Sequence, residues 1–321
     1  MNDDLRVSDL SEEQLLARIF PHLPAGAGTL VPPGDDAAVV AAPDGRVVVT
    51  TDVLVEDRHF RRVWSSGEDV GRRVAVQNLA DVAAMGARPT SLVVALAVPG
   101  DLPVAWVEGL ARGLGAVCGP LGVGVVGGDL SGGPVVVVAV AAHGDLEGRV
   151  PVLRSGARVG DVVAHAGRCG RSAAGLALLD AGRAGVDPDA VAAHLRPTSP
   201  LDAGPAAALA GATAMLDVSD GMLRDAGRMA RASGVQIDLD EPTTAFADDL
   251  AALAPAAAAV GADPVAWVLG GGEDHGLLAT FPPDGVLPAP FRQVGTVRSG
   301  SGVLVAGREP TVAPGWDHFG G

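Results

Sequence analysis

The chain contains no lysine, since every one of its 23 basic residues is arginine. A Walker A phosphate loop depends on a lysine that reaches the β- and γ-phosphates, so that route to nucleotide binding is excluded. Phosphate charge would have to be met by arginine, backbone N–H groups or metal ions. Tyrosine is absent too, and aromatic residues make up only 3% of 321 positions. No tyrosine can therefore pack on a nucleotide base. The two cysteines, Cys118 and Cys169, stand far apart without metal-type spacing, which gives no support to a disulfide framework or a zinc site. A reducing, cytoplasmic setting is expected. Long apolar runs are missing as well: Val135 to Ala142 and Leu92 to Val98 fall well short of the roughly 20 residues that span a bilayer. The opening MNDDLRVSDLSEEQ is acidic and polar, unlike the basic-then-apolar start of an export signal. With a net charge of −15, the chain should be repelled by nucleic acid and anionic membranes. Arg61-Arg62 and Arg72-Arg73 are too small to act as a basic patch.

What is present is ample core material: 48% of the residues are hydrophobic, and the length favours two domains over one. SEEQLLARIF at 11 to 20 reads as a helix capped by Ser11. RVVVTTDVLV, TSLVVALAV and VVVVAVAAHG read as strands, and GVGVVGGDLSGG as a strand running into a turn. EDVGRRVAVQNLADVAAMGA reads as a helix ended by Gly86, and VAWVEGLARGLGAVCGPLG as a second. A polar, glycine-rich joint near 151 divides residues 1–150 from 151–321. Beyond it, SAAGLALLDAG, PAAALAGA and GMLRDAGRMARASG are expected as helices, and AMLDVSDG, VQIDLD and GLLATF as strands. The alanine-rich stretch from Ala245 to Ala266 reads as helical and structural. The pattern predicts two α+β domains with mostly antiparallel sheets and no regular βαβ repeat.

Four segments share one design, an apolar β-type run ending in a glycine-containing turn that carries aspartate. They are GDDAAVV at 34 to 40, VVVTTDVLVEDRHF at 47 to 60, VVGGDLSGG at 125 to 133 and MLDVSDGM at 215 to 222. NLADVAAMGA adds Asp81 on an expected helix. Clustered carboxylates repel one another unless a cation intervenes, and triphosphate chemistry needs hard oxygen ligands for magnesium. An aspartate in a glycine turn can equally be an ordinary cap. Spacing alone does not show that these segments converge.

GDDAAVV, TTDVLVEDRHF, NLADVAAMGARP, GGDLSGG, DVSDGM and GGGEDHGLL, in this order from about residue 12 to the C-terminus, closely resemble the thiamine-monophosphate kinase family. The resemblance implies the fold shared with aminoimidazole ribonucleotide synthetase and selenophosphate synthetase. It implies an N-terminal ATP- and magnesium-binding domain that pairs into a homodimer, and a C-terminal domain that completes the substrate site. The metal ligands it implies are Asp36 of the Asp35-Asp36 pair, Thr50, Thr51, Asp52, Asp81, Asp129 and Asp217, with Asp220 binding a further ion. ATP contacts fall on Gly128, Asp129, Arg154 and Ser219, and contacts to thiamine monophosphate on His59, Glu273 and Trp316. A thiazolium cation would suit both the Glu273 carboxylate and the Trp316 indole face. Trp316 could instead be a C-terminal anchor, His59 a partly buried side chain beside Phe60, and Arg154 a solvated surface charge.

The implied reaction is phosphoryl transfer from ATP to thiamine monophosphate, with several Mg²⁺ ions. The acceptor is already an anion near neutral pH, because a phosphate monoester has a second pKa of about 6. No general base is expected, and no Ser-His-Asp constellation is evident. One departure stands out: the family usually has Tyr and then Glu after GGED, where this chain has His275 and Gly276. Competing readings are another ATP-using enzyme of the same superfamily, or a non-catalytic nucleotide- or thiamine-phosphate-binding protein. Selenophosphate synthetase normally needs a reactive cysteine or selenocysteine and a lysine near its N-terminus, which this chain lacks.

Overall fold

Ser11 opens the first helix with a reciprocal cap, its hydroxyl accepting from Gln14 N while Gln14 Oε1 accepts from Ser11 N. This computed structural model describes residues 5–31 and 38–316, and Asp35 and Asp36 lie outside them. The chain divides into two compact units, residues 1–82 with 88–148, and residues 83–87 with 149–321.

The first unit runs α1 (Glu12–Ile19), β1 (Thr29–Val31), β2 (Val39–Val40), β3 (Val48–Val55), α2 (Gly67–Ala84), β4 (Arg88–Val98), α3 (Val104–Cys118), β5 (Gly124–Gly132) and β6 (Val137–Asp145). Its main sheet has the order β3-β6-β4-β5, antiparallel except for the β4–β5 pair. That parallel pair is joined through α3, a βαβ crossover the sequence pattern did not disclose. Leu54, Val138, Val140, Leu92 and Leu96 form one buried sheet face. Helices α2 and α3 approach backbone to backbone: a Cβ on Gly71 would lie 2.1 Å from Leu110 O, and one on Gly113 would lie 2.2 Å from Glu68 O. Any larger residue would force them apart.

The second unit runs β7 (Val162–Ala166), α4 (Arg171–Asp180), α5 (Pro188–Leu195), α6 (Ala203–Leu209), β8 (Ala214–Val218), α7 (Met222–Ser233), β9 (Gln236–Leu239), α8 (Pro242–Ala245), α9 (Ala247–Val260), α10 (Pro264–Gly270), β10 (Gly276–Phe281), β11 (Arg292–Arg298) and β12 (Gly302–Val305). Its sheet has the order β12-β9-β11-β7-β10-β8, with β12 and β9 the one parallel pair. Alternating residues feed two cores. Val163, Leu216, Val218 and Leu278 pack with Met222, Met229, Leu253 and Val268 on one side. Ala164, Met215, Leu277, Ala279 and Phe281 pack with Ala203 and Ala207 on the other. The alanine-rich stretch becomes α9 and α10, separated at Gly261, whose left-handed φ of +67° ends α9.

Candidate active site

In the first unit, β3 alternates so that Thr50, Asp52 and Leu54 share the face turned toward the helices, while Val49, Thr51 and Val53 turn the other way. Thr50 Oγ1 donates to Asp81 Oδ2 on α2 at 2.8 Å. Two oxygens that both bind one octahedral Mg²⁺ lie about 3 Å apart, so this all-oxygen pair matches the edge such an ion requires. Asp52 follows two residues further along the same face. Asp129 is placed differently. The pairing Asp52–Val140–Val94–Gly128 runs straight across the sheet, which puts Gly128 on the helix side and Asp129, the partner of Ala95, on the opposite side. Asp52 and Asp129 also sit on the two outer strands. Asp52 lies within a strand as expected, and Asp129 lies within β5 and not in the glycine turn expected for it. Gly128 is glycine for a packing reason, since a Cβ there would come 2.0 Å from Val94 O. His59 folds back onto the end of β3, where its Nδ1 accepts from Val55 N at 3.0 Å.

In the second unit the expected residues gather around the turn after β8. Asp217 is a buried residue of the strand, and Ser219 and Asp220 form the turn. Ser219 O accepts from Glu273 N at 2.7 Å, and Asp220 O accepts from Trp316 N at 2.9 Å. Two segments distant in sequence, the GGGED loop and the strap at 313–316, are thereby stitched to one turn. Glycine permits both approaches: a Cβ on Gly272 would lie 2.6 Å from Ser219 O, and one on Gly315 would lie 2.0 Å from Asp220 O. Trp316 remains 56% exposed, so its indole is open to a ligand. Arg154 is exposed as well, just after Leu153, whose carbonyl accepts from Met215 N along the free edge of β8.

Four residues that the sequence did not single out as site members organise this cluster. Asp274 turns away from its neighbours and accepts from Gly170 N at 2.5 Å and Ser172 N at 2.8 Å, capping α4. Burial pushes its pKa up to about 7 against the pull of those two donors. Glu273 and His275 on either side take left-handed φ values of +68° and +50°. His275 Nδ1 lies 3.8 Å from Asp217 Oδ2, and Nε2 lies 3.7 Å from Glu273 Oε2. Burial would lower its pKa, but the two carboxylates outweigh burial and hold it at about 10. Arg228 bonds both Asp220 and Asp225, and Asp225 Oδ2 accepts from Asp220 N at 2.9 Å. Burial, reinforced by the nearby carboxylates, raises Asp225 to about 6. The signal for Asp274 was its place after three glycines, and that for Asp225 and Arg228 was helical spacing from the DVSDG turn. Among the described residues, no three His, Cys, Asp or Glu side chains are already arranged around a common metal position.

Comparison with known proteins now decides the family. Residues 34–146 match the AIR synthase related protein N-terminal domain, and residues 158–279 match the C-terminal domain of the same description. The chain is 48% identical over 315 residues to the thiamine-monophosphate kinase of Mycobacterium tuberculosis, covering 98% of this chain and 93% of that one. The chain belongs to the thiamine-monophosphate kinase family. The Corynebacterium glutamicum thiamine-monophosphate kinase is 41% identical over 333 residues, with 99% and 96% coverage. The solved structure of AaThiL complexed with AMPPCP and TMP superposes with a TM-score of 0.78 at 33% identity, covering 98% of this chain and 99% of that one. Within this family pattern, the glycine at 276 has a local cause. A Cβ there would lie 2.4 Å from His165 Nε2 and 2.7 Å from Ala166 O. His165 of β7 fills the space that any side chain at 276 would need.

Proposed function

We propose that the chain transfers the γ-phosphoryl group of ATP to the phosphate of thiamine monophosphate, yielding thiamine diphosphate and ADP. The observation that carries this reading is the full-length likeness to AaThiL complexed with AMPPCP and TMP, an ATP analogue together with the acceptor. The site chemistry agrees with it. Thr50, Asp52 and Asp81 in the first unit, and Asp217 and Asp220 in the second, offer hard oxygen donors suited to magnesium. Asp36, Thr51 and Asp129 are further proposed ligands, Thr51 and Asp129 on the other face of the sheet and so for a different ion from Thr50 and Asp52, and Gly128, Arg154 and Ser219 are the proposed ATP contacts. Mg²⁺ held by these carboxylates would offset the repulsion between two phosphate anions during in-line transfer. The acceptor needs no general base, because it is anionic near neutral pH. Glu273 would balance the thiazolium charge, Trp316 would stack on a flat ring, and His59 would lie at the substrate.

A homodimer through the first unit is part of the same reading. On the face of its sheet that turns away from Thr50 and Asp52, Val49 and Val53 are 63% and 44% exposed, apolar surface suited to a second copy. A cytoplasmic setting without membrane or nucleic-acid partners completes it, supported by two buried free cysteines and by the lack of any single described helix long and apolar enough to cross a bilayer.

The test is ADP release measured with thiamine monophosphate, with thiamine and with aminoimidazole precursors. Release with thiamine monophosphate alone is expected, and chelation with EDTA should abolish it. Release with an aminoimidazole precursor instead would favour another enzyme of the superfamily. No release with any of them, despite measurable binding of thiamine monophosphate, would make the chain a binding protein.

A further inference from the structure

Beside Glu273, the side chain at position 275 is enclosed by the turn after β8 and the GGGED loop. His275 is 3% exposed. Neither ring nitrogen has a hydrogen-bond partner among the described residues, yet each points at a carboxylate oxygen, Asp217 Oδ2 at 3.8 Å and Glu273 Oε2 at 3.7 Å. Those separations lie just beyond a hydrogen bond, so a shift of under about 1 Å by either carboxylate would close one.

The backbone that carries the ring has little freedom to move. His275 N donates to Val218 O at 3.1 Å, Glu273 N donates to Ser219 O at 2.7 Å, and the Asp274 carboxylate between them is clamped by Gly170 N and Ser172 N. The two non-glycine residues on either side of Asp274 are thereby kept in left-handed backbone, a conformation that side chains adopt at a cost. An imidazole places a nitrogen on each side of the ring and, with a proton on each, can donate to two carboxylates.

We propose that His275 is a positioning residue that fixes the Glu273 carboxylate for the cationic part of thiamine monophosphate, with Asp217 as its anchor on the other side. This rests on the reading of Glu273 as a substrate contact. His275 touches no substrate in this scheme and acts through Glu273. The neighbouring glycine has a packing cause of its own, because His165 leaves no room for a side chain at 276.

The experiment compares the full-length wild type with His275→Ala, His275→Gln, Glu273→Gln and the double variant Glu273→Gln/His275→Ala. Steady-state ADP release gives kcat and KM for thiamine monophosphate, calorimetry gives its Kd without ATP, and thermal melting checks the fold. If the wild type does not turn over thiamine monophosphate, the underlying functional reading fails, separately from the role of His275. Given turnover, His275→Ala should raise KM and Kd at least about tenfold, the size expected for losing a charged hydrogen bond, with kcat within about threefold. His275→Gln retains a donor that reaches one carboxylate and should recover part of the loss. Because His275 acts through Glu273, the double variant should bind no worse than Glu273→Gln alone. Wild-type KM and Kd in both folded His275 variants, or losses that multiply in the double variant, would overturn the proposal.

Discussion

Thr50 and Asp81 meet across 2.8 Å, and what matters at this contact is charge more than shape. Asp81→Asn can keep the bond from Thr50 but loses the negative charge that a magnesium ion needs. Turnover should fall on the order of 100-fold, with half-saturation shifted to higher Mg²⁺ and an unchanged melting temperature. Magnesium titrations of ADP release would check this, and near-normal turnover would remove Asp81 from the ligand set. At this scale the sequence was informative about residue types and much less so about direction. Asp52 and Asp129 look alike as strand aspartates, yet pairing register turns them to opposite faces. A period-2 pattern becomes a direction only once partners are known. The role of His275 was unreadable for a similar reason, because its neighbours come from β8 and from a backbone bent by Asp274.

Among elements, those with strong local signals were legible. Ser11 and Gln14 announce α1 by a cap that needs only three residues, and Gly86, with φ of +74°, follows the end of α2 as expected. Strands β11 and β12 were not anticipated. β11 carries a bulge between Gln293 and Gly295 that breaks its alternation, and β12 is four residues paired in parallel with β9, a contact settled by distant chain. Helix α5 was also passed over, although Asp187 and Pro188 form a standard start. The strap at 313–316 was legible only as Trp316, and its attachment depends on Gly315. A methyl group at 315 would meet Asp220 O at 2.0 Å, on a residue whose φ is +130°. Gly315→Ala should therefore lift the strap from the turn, raise KM for thiamine monophosphate about tenfold or more, and change the melting temperature little. Steady-state kinetics would show it. A KM equal to that of the wild type would mean that the strap does not hold Trp316 for the substrate.

For the molecule as a whole, the two-unit α+β plan with mostly antiparallel sheets followed from composition and element order, since apolar runs of strand length alternating with glycine-ended helices leave few other architectures. The βαβ crossover through α3 and the two parallel pairs lay beyond it, because strand direction is not written in local pattern. Global stability should carry a pH signature from the second sheet. His165 is fully buried beside Cys169 Sγ, 3.7 Å away, and burial, with the Arg292 charge, holds its pKa down at about 3. Between that value and the ordinary 6.5, the unfolded chain binds a proton that the folded chain refuses. The contribution is present above pH 6.5 and is lost progressively as pH falls toward 3, on the order of 3 kcal/mol by pH 4. Thermal unfolding from pH 7.5 to 4.5 should decline more steeply for the wild type than for His165→Gln, which has no such proton to bind. Parallel curves would count against a neutral buried imidazole.

The left-handed pair at Glu273 and His275 sets stability against recognition at single positions. Glycine at 273, where the side chain is partly exposed, would relax the backbone and raise heat resistance, so selection for survival at high temperature and selection for thiamine phosphate would draw this loop toward different sequences. The side chains kept there mark a place where the protein gives up robustness to hold a grip.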